Sequence, residues 1–315
     1  MMQMFNNMWS IMAVPDNFPI LVMAVLVAYF LYLSFKMGLA NDRLRAMARN
    51  ADGGLVDIMY PEAERGLPDK VHVWPYLVRI EFIAVILTTA LLIVWSILLD
   101  APLEEISNAN ATPNPSKAPW YFLGLQELLV YFDPWIAGVY LPTIIVVGLM
   151  TIPYIDTNSK GNGYYTIKER PFALSVFLFG FVGLWVVMVV IGTYIRGPGW
   201  MWFWPWMEWD PRRTVSSTNI DLYDALGFQS WSFPMGAGIF DVFGMVVTLG
   251  FFAVGMTVPY LWLRKYKPHE YARLGFVRYN IVMMMLLQMI GVVVKIVLRL
   301  GFNIKYVWVT PWFNV

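Results

Sequence analysis

Three groups of residues in this sequence have the types and spacing to do chemistry. Glu127 stands inside Leu123-Gly124-Leu125-Gln126-Glu127-Leu128-Leu129, an acid among apolar neighbours. Desolvation disfavours a carboxylate's charged form, so an acid placed there is expected to titrate high enough to accept protons. The alternative is a surface carboxylate facing water. Arg79 and Glu81 follow Trp74-Pro75-Tyr76, with His72 close by. A cation and a carboxylate just inside a hydrophobic run can hold a polar head group and pass it protons. Equally, Arg79 can snorkel outward with Glu81 as its partner. The third group is the indole-rich run Arg196-Gly197-Pro198-Gly199-Trp200-Met201-Trp202-Phe203-Trp204-Pro205-Trp206. It reads either as an aromatic belt at a membrane boundary or as a surface that covers or docks a partner.

These residues must be positioned by membrane spans. The chain has 315 residues, 59% hydrophobic and only 14% charged, and its apolar runs are long enough to cross hydrocarbon. The fold class expected is all-α: a polytopic transmembrane helical protein of about six spans plus a short amphipathic surface helix. The spans read as Phe18–Phe35, Trp74 to just before Asp100, Ile136–Ile155, Phe172–Ile195, Ile239–Leu261 and Ile281–Leu298. Between the second and third, a Pro-rich entry leads into a helix signal over Phe122–Tyr131, too short and too polar to span. A short helix at the membrane surface can roof a cavity reached from lipid. The first apolar run, without a basic leader or cleavage site, reads as a retained anchor.

With no cysteine, thiolate metal sites and iron–sulfur ligation by this chain are excluded, and two histidines, His72 and His269, leave no bis-histidine haem pair on a span. No metal site is expected. The basic residues form no nucleic-acid patch but gather beside the spans. If the spans alternate, the segments 37–75, 156–171 and 262–279 carry thirteen Lys and Arg, against six in 1–17, 100–135, 196–238 and 299–315. Positive charge marks the cytoplasmic side, so both termini are expected on the outer face. Lys295 and Arg299 are expected to snorkel, Asp241 to stay solvated, and Met283-Met284-Met285 with Met289 to fill packing space.

Several ordered blocks then resemble a known family, the C-terminal half of cytochrome b as found in the separate small subunit of split bc-type complexes. Asp100-Ala101-Pro102-Leu103-Glu104-Glu105 with Thr112-Pro113 resembles its entry to an outer loop. Lys117-Ala118-Pro119-Trp120-Tyr121-Phe122-Leu123 resembles the PEWY segment, Ile152-Pro153-Tyr154 and Arg170-Pro171 resemble span ends, and the tail Phe302-Asn303-Ile304-Lys305-Tyr306 with Thr310-Pro311-Trp312-Phe313 resembles multi-subunit bacterial versions. The resemblance covers residues 74–196, between an N-terminal anchor and polar segment (1–73) and an aromatic loop with two further spans (197–315).

The resemblance implies a subunit of a quinol–cytochrome c oxidoreductase in a bacterial inner membrane, not catalytic alone. It implies an outer quinol site at Pro119, Trp120, Tyr121 and Gln126, and an inner quinone site at Arg79, Glu81 and His72. Quinone would bind transiently. A haem-binding cytochrome b N-terminal-type subunit, a Rieske iron–sulfur protein and a c-type cytochrome would be partners, carrying the haem b and the cluster. Pro119 stands where the PEWY glutamate belongs, and Glu127 is expected to replace it as catalytic proton acceptor. The rival readings are a structural anchor for redox subunits without its own quinone site, and a transporter, which lacks support because the span centres carry no charges and no repeat is present.

Overall fold

In hydrocarbon a backbone must satisfy its own hydrogen bonds, so long apolar runs resolve as helices. The computed structural model describes residues 2–14, 17–50, 72–99, 106, 108–110, 112–158, 165–210, 212, 218–236 and 238–315. The expected family block 100–105, most of the polar segment before the second span (51–71) and Lys160 lie outside the described residues. Nine helices follow in chain order among those described. They are α1 (Met2–Met12), α2 (Phe18–Asn50), α3 (Val73–Leu98), α4 (Leu123–Leu128), α5 (Ile136–Ile155), α6 (Pro171–Ile195), α7 (Leu222–Ala225), α8 (Val242–Tyr266) and α9 (Pro268–Phe302). Six of them, α2, α3, α5, α6, α8 and α9, are long and apolar enough to cross a membrane. The chain is a multi-pass, predominantly helical membrane protein.

Each expected span has a helix, but several helices outrun it, and the fifth starts at Val242 rather than Ile239 because residues 239–241 belong to a strand. At 33 residues, α2 continues past Phe35 to Asn50, a length of roughly 50 Å against about 30 Å of hydrocarbon. Its polar extension is held from the side: Lys168 N–H donates to Asp42 (3.2 Å), Asn41 Nδ2 donates to the Tyr165 carbonyl (2.9 Å), and Arg45 pairs with Glu169 (2.8 Å). Helix α9 begins at Pro268 rather than Ile281 and breaks direction at Gly275, whose φ of +75° favours a residue without Cβ. Along α6, two stretches, Leu178–Val186 and Ile191–Ile195, widen into π-helix. Such stretches are rare and cluster near functional sites.

The alternation of spans puts α1, the 106–135 stretch, the Trp-rich loop and the chain's last residues on one side, called here the tail face. Two ribbons close it. β1 (Ile220–Asp221) pairs in parallel with β4 (Ile304–Tyr306), and β2 (Ser232–Met235) pairs with β3 (Gly238–Asp241) as an antiparallel hairpin, Ser232 opposite Asp241. Two small cores lie beneath. Leu128, Tyr131, Phe132, Ala137, Met188 and Val292 join α4 to α5, α6 and α9, while Ile20, Leu123 and Val189 join it to α2 and α6. The short helix α4 is thus the piece on which the tail ends of four spans converge.

Two expectations about charge fail at this face. Lys295 does not snorkel: it is buried, with Nζ donating to the Lys305 carbonyl (2.5 Å) between the rings of Phe132 and Tyr306. Nor is Asp241 solvated. It is fully buried as the N-cap of α8, with Oδ2 accepting from Gly244 N–H (2.9 Å) and Oδ1 without a hydrogen-bond partner among the described residues. In both cases the C-terminal tail folds over the site and displaces the water that the sequence position promised. Arg299 donates to the Thr218 carbonyl and to Asn219 Oδ1, tying the end of α9 to the residues just before β1.

Candidate functional site

The segment 113–133 is folded by its own side chains. Gln126 spans the entry turn, accepting from Ala118 N–H at Oε1 and donating from Nε2 to the Ser116 carbonyl, both at 2.7 Å. Asn114 Oδ1 accepts from Gly199 N–H (2.6 Å), linking this turn to the loop after α6. Trp120–Phe122 forms one 3₁₀ turn, and α4 then presents Leu123, Gly124, Glu127 and Leu128 inward. That i, i+1, i+4, i+5 pattern is the amphipathic helix expected from the sequence.

Close approach of α4 to α6 depends on two glycines. A Cβ on Gly192 would lie 3.3 Å from the Leu123 carbonyl oxygen, and one on Gly124 would lie 3.3 Å from the Val189 side chain. The π-helical end of α6 leaves terminal carbonyls without intrahelical partners. Lys117 answers one of them, with Nζ donating to the Thr193 carbonyl (2.7 Å). Burial lowers the Lys117 ammonium from its ordinary 10.5 to about 8.

Glu127 is the hub. It is 0% exposed, and its carboxylate takes a two-pronged grip from Arg196, itself 4% exposed: Nη2 to Oε1 at 2.5 Å and Nε to Oε2 at 2.9 Å. Tyr131 Oη donates to Oε1 (2.8 Å) and Trp200 Nε1 donates to Oε2 (3.1 Å). Four donors therefore cover two oxygens. Arg196 Nη1 continues to the Trp200 carbonyl (2.9 Å), and its guanidinium lies over the Trp202 ring, 4.4 Å from the centroid. Burial first, and then the Glu127 charge, push the Tyr131 phenol upward, so it remains a donor. The surface carboxylate facing water does not exist, and neither does the lone desolvated acid. Glu127 is the carboxylate half of a buried fork, with each of its two oxygens accepting from two donors.

Beside this hub a recess of about 360 Å³ opens, lined among others by Asn114, Ser116, Gln126, Leu129 and Trp200. Of the residues expected at an outer site, Gln126 lines it. Pro119, Trp120 and Tyr121 do not: Trp120 packs toward Ile20, Leu123 and Val189, while Pro119 and Tyr121 are exposed next to it. Among the described residues, the inner set is not brought together. His72, Arg79 and Glu81 are all exposed on or just before α3, and Arg79 and Glu81, two residues apart on a helix, point to opposite sides.

Arg196, Tyr131 and Trp200 were not expected as Glu127's partners. The available signals were Tyr131 at i+4 from Glu127, and a lone arginine closing an otherwise uncharged span before Gly197-Pro198-Gly199. What pairs them is a contact 69 residues apart in sequence. No protein-family model matches this chain, and no solved structure matches it.

Proposed function

We propose that this chain is a non-haem membrane subunit of a quinol–cytochrome c oxidoreductase of the bc type, with its tail face toward the outer compartment of a bacterial cytoplasmic membrane. The observation that carries the reading is the roof: a surface segment resembling the PEWY loop, clamped by Glu127 and Arg196 onto the end of a span, with an open recess at its edge. In this reading a quinol head group enters that recess from lipid. Gln126, Asn114 and Ser116 offer it hydrogen bonds, and Trp200 offers a ring face. Pro119, Trp120 and Tyr121 shape the approach. Glu127 positions the roof, and the protons of the quinol leave to water or to a partner's residue. At the opposite end, Arg79, Glu81 and His72 would contribute to an inner quinone site only together with side chains of a haem-binding neighbour. That neighbour, a Rieske protein and a c-type cytochrome complete the proposed assembly.

The locked state of Glu127 also favours a second reading, a structural anchor that holds redox subunits and binds no quinone. Affinity purification through this chain followed by azidoquinone photolabelling separates the two. The first reading requires a co-purifying b-type haem protein and label within 114–126. Haem protein with label elsewhere leaves the anchor. Absence of any b-type haem protein overturns both. Glu127→Gln, normalised to assembled complex, should leave the pH profile of quinol oxidation unchanged, whereas a proton acceptor would shift it.

A further inference from the structure

Helix α1 was expected as part of a loop, yet Met2–Met12 forms three turns with no charged residue. Its residues sort sharply around the axis. At 100° per residue, Asn6, Ser10 and Asn7 fall on one arc, while Met4, Met8, Phe5, Trp9 and Met2 fill the other. Among the described side chains the helix meets protein at Asn7, Ile11 and, at its last residue, Met12, which are half-buried. Phe5 is 66% exposed and Trp9 61% exposed, with Met2 and Met8 beside them.

The level at which this face lies is fixed by its two attachments. Asn17 Nδ2 donates to the Ile11 carbonyl (2.7 Å), folding the end of α1 against the first residues of the span α2. Asn7 Nδ2 donates to the carbonyls of Pro205 (2.9 Å) and Met207 (3.1 Å), in the loop that follows the span α6. The helix therefore reaches from the end of one span to the loop beyond another, at the height where hydrocarbon gives way to head groups. In that loop Trp202, Trp204 and Trp206 stack in a column, centroids 6.0 and 5.6 Å apart, and Trp206 stands 64% exposed next to the Asn7 anchor. Indoles prefer that boundary.

We infer that α1 is an interfacial helix whose Met2, Phe5, Met8 and Trp9 face is seated in the lipid of the tail-face leaflet, with the stacked tryptophans alongside it as a common keel. Having no charged side chain, the helix holds to lipid through apolar area and indole placement, not through anionic head groups. This inference is independent of any quinone chemistry.

The absence of cysteine from the chain makes the test clean. Single variants Met2→Cys, Phe5→Cys, Trp9→Cys, Asn6→Cys and Ser10→Cys, each carrying a nitroxide label, are reconstituted as the full chain in nanodiscs of zwitterionic phosphatidylcholine. Collision with oxygen reports lipid, and collision with a neutral nickel chelate reports water. Labels at 2, 5 and 9 should collide preferentially with oxygen, and those at 6 and 10 with the chelate. Repeating the measurement with anionic lipid should leave the pattern unchanged. Equal chelate access at all five positions, or shielding of 2, 5 and 9 from both reagents, overturns the inference, the second result marking a protein occupant instead.

Discussion

Glu127 and Arg196, 69 residues apart, meet as a buried two-pronged ion pair between α4 and the end of α6. Planar guanidinium and carboxylate match in two parallel hydrogen bonds, and the remaining lone pairs are filled by Tyr131 and Trp200. Neither charge is left in the apolar seam without a partner. The pair therefore fixes where α4 sits, which is different from supplying a large net stabilisation.

That distinction can be measured. Arg196→Leu leaves the Glu127 carboxylate buried without its cation and should lower stability by about 3–5 kcal/mol. The double variant Glu127→Leu with Arg196→Leu should recover part of this loss, since no unpaired charge stays buried, although Tyr131 and Trp200 lose their acceptor. Thermal unfolding in detergent, compared across the cycle, reads the coupling. Additive losses in the double variant would refute it.

Arg196→Lys is not conservative at this site. An ammonium cannot make the fork, nor can it lie flat over Trp202 as the guanidinium does. The lysine variant should unfold at a temperature between those of the wild type and Arg196→Leu, and the same unfolding curves decide it.

Lys117 makes a titration prediction. Its ammonium is held down to about 8 by burial, so the folded chain releases this proton well before an unfolded one does. Between about 8 and 10.5 the unfolded state binds more protons, and stability rises with pH in that window. Competitive acylation followed by mass spectrometry should show Lys117 reactivity reaching half its plateau near pH 8. A midpoint near 10.5, shared with exposed lysines, would contradict the burial.

Asp241 carries the opposite sign. Burial raises its carboxyl above the ordinary 3.8, although the Gly244 and Phe243 amides pull it partly back. Its contribution is fully present below 3.8 and is lost as pH rises through the folded value. Asp241→Asn keeps an acceptor for Gly244 N–H while removing the buried charge. The variant should be at least as stable as the wild type at neutral pH and should flatten this part of the stability profile. Asp241→Ala, which also loses the cap, should instead cost about 0.5–2 kcal/mol relative to the asparagine variant.

Gly192→Val tests the packing on which the roof depends. Even a single Cβ would stand 3.3 Å from the Leu123 carbonyl, so a branched side chain forces α4 away from α6. A loss of about 1–3 kcal/mol is expected. Hydrogen exchange of the 120–131 amides should speed up more than that of α8.

The spans were legible because apolar length is a local property, and so was the inward face of α4, whose Leu-Gly-x-x-Glu-Leu spacing survives intact. Helix α1 was not recognised, because an uncharged eleven-residue run next to a proline looks like a lead-in to the first span. Lys295 and Asp241 were misplaced for a different reason. Their positions near span ends predict solvent, and only the fold of residues 303–315 over them removes it. Glu127 was correctly singled out as an acid in an apolar setting. Its partner was invisible, because nothing local ties residue 127 to residue 196.

Helix α3 has no buried residue, and its ring contact with the rest of the chain is Trp95 against Phe18, 5.5 Å between centroids. Substitutions along it therefore disturb few contacts among the described residues. A position between Val78 and Leu98 where even a conservative apolar substitution proves intolerable in the living cell thus points to a neighbouring molecule. A saturation scan of this one strut would draw that neighbour's footprint, residue by residue.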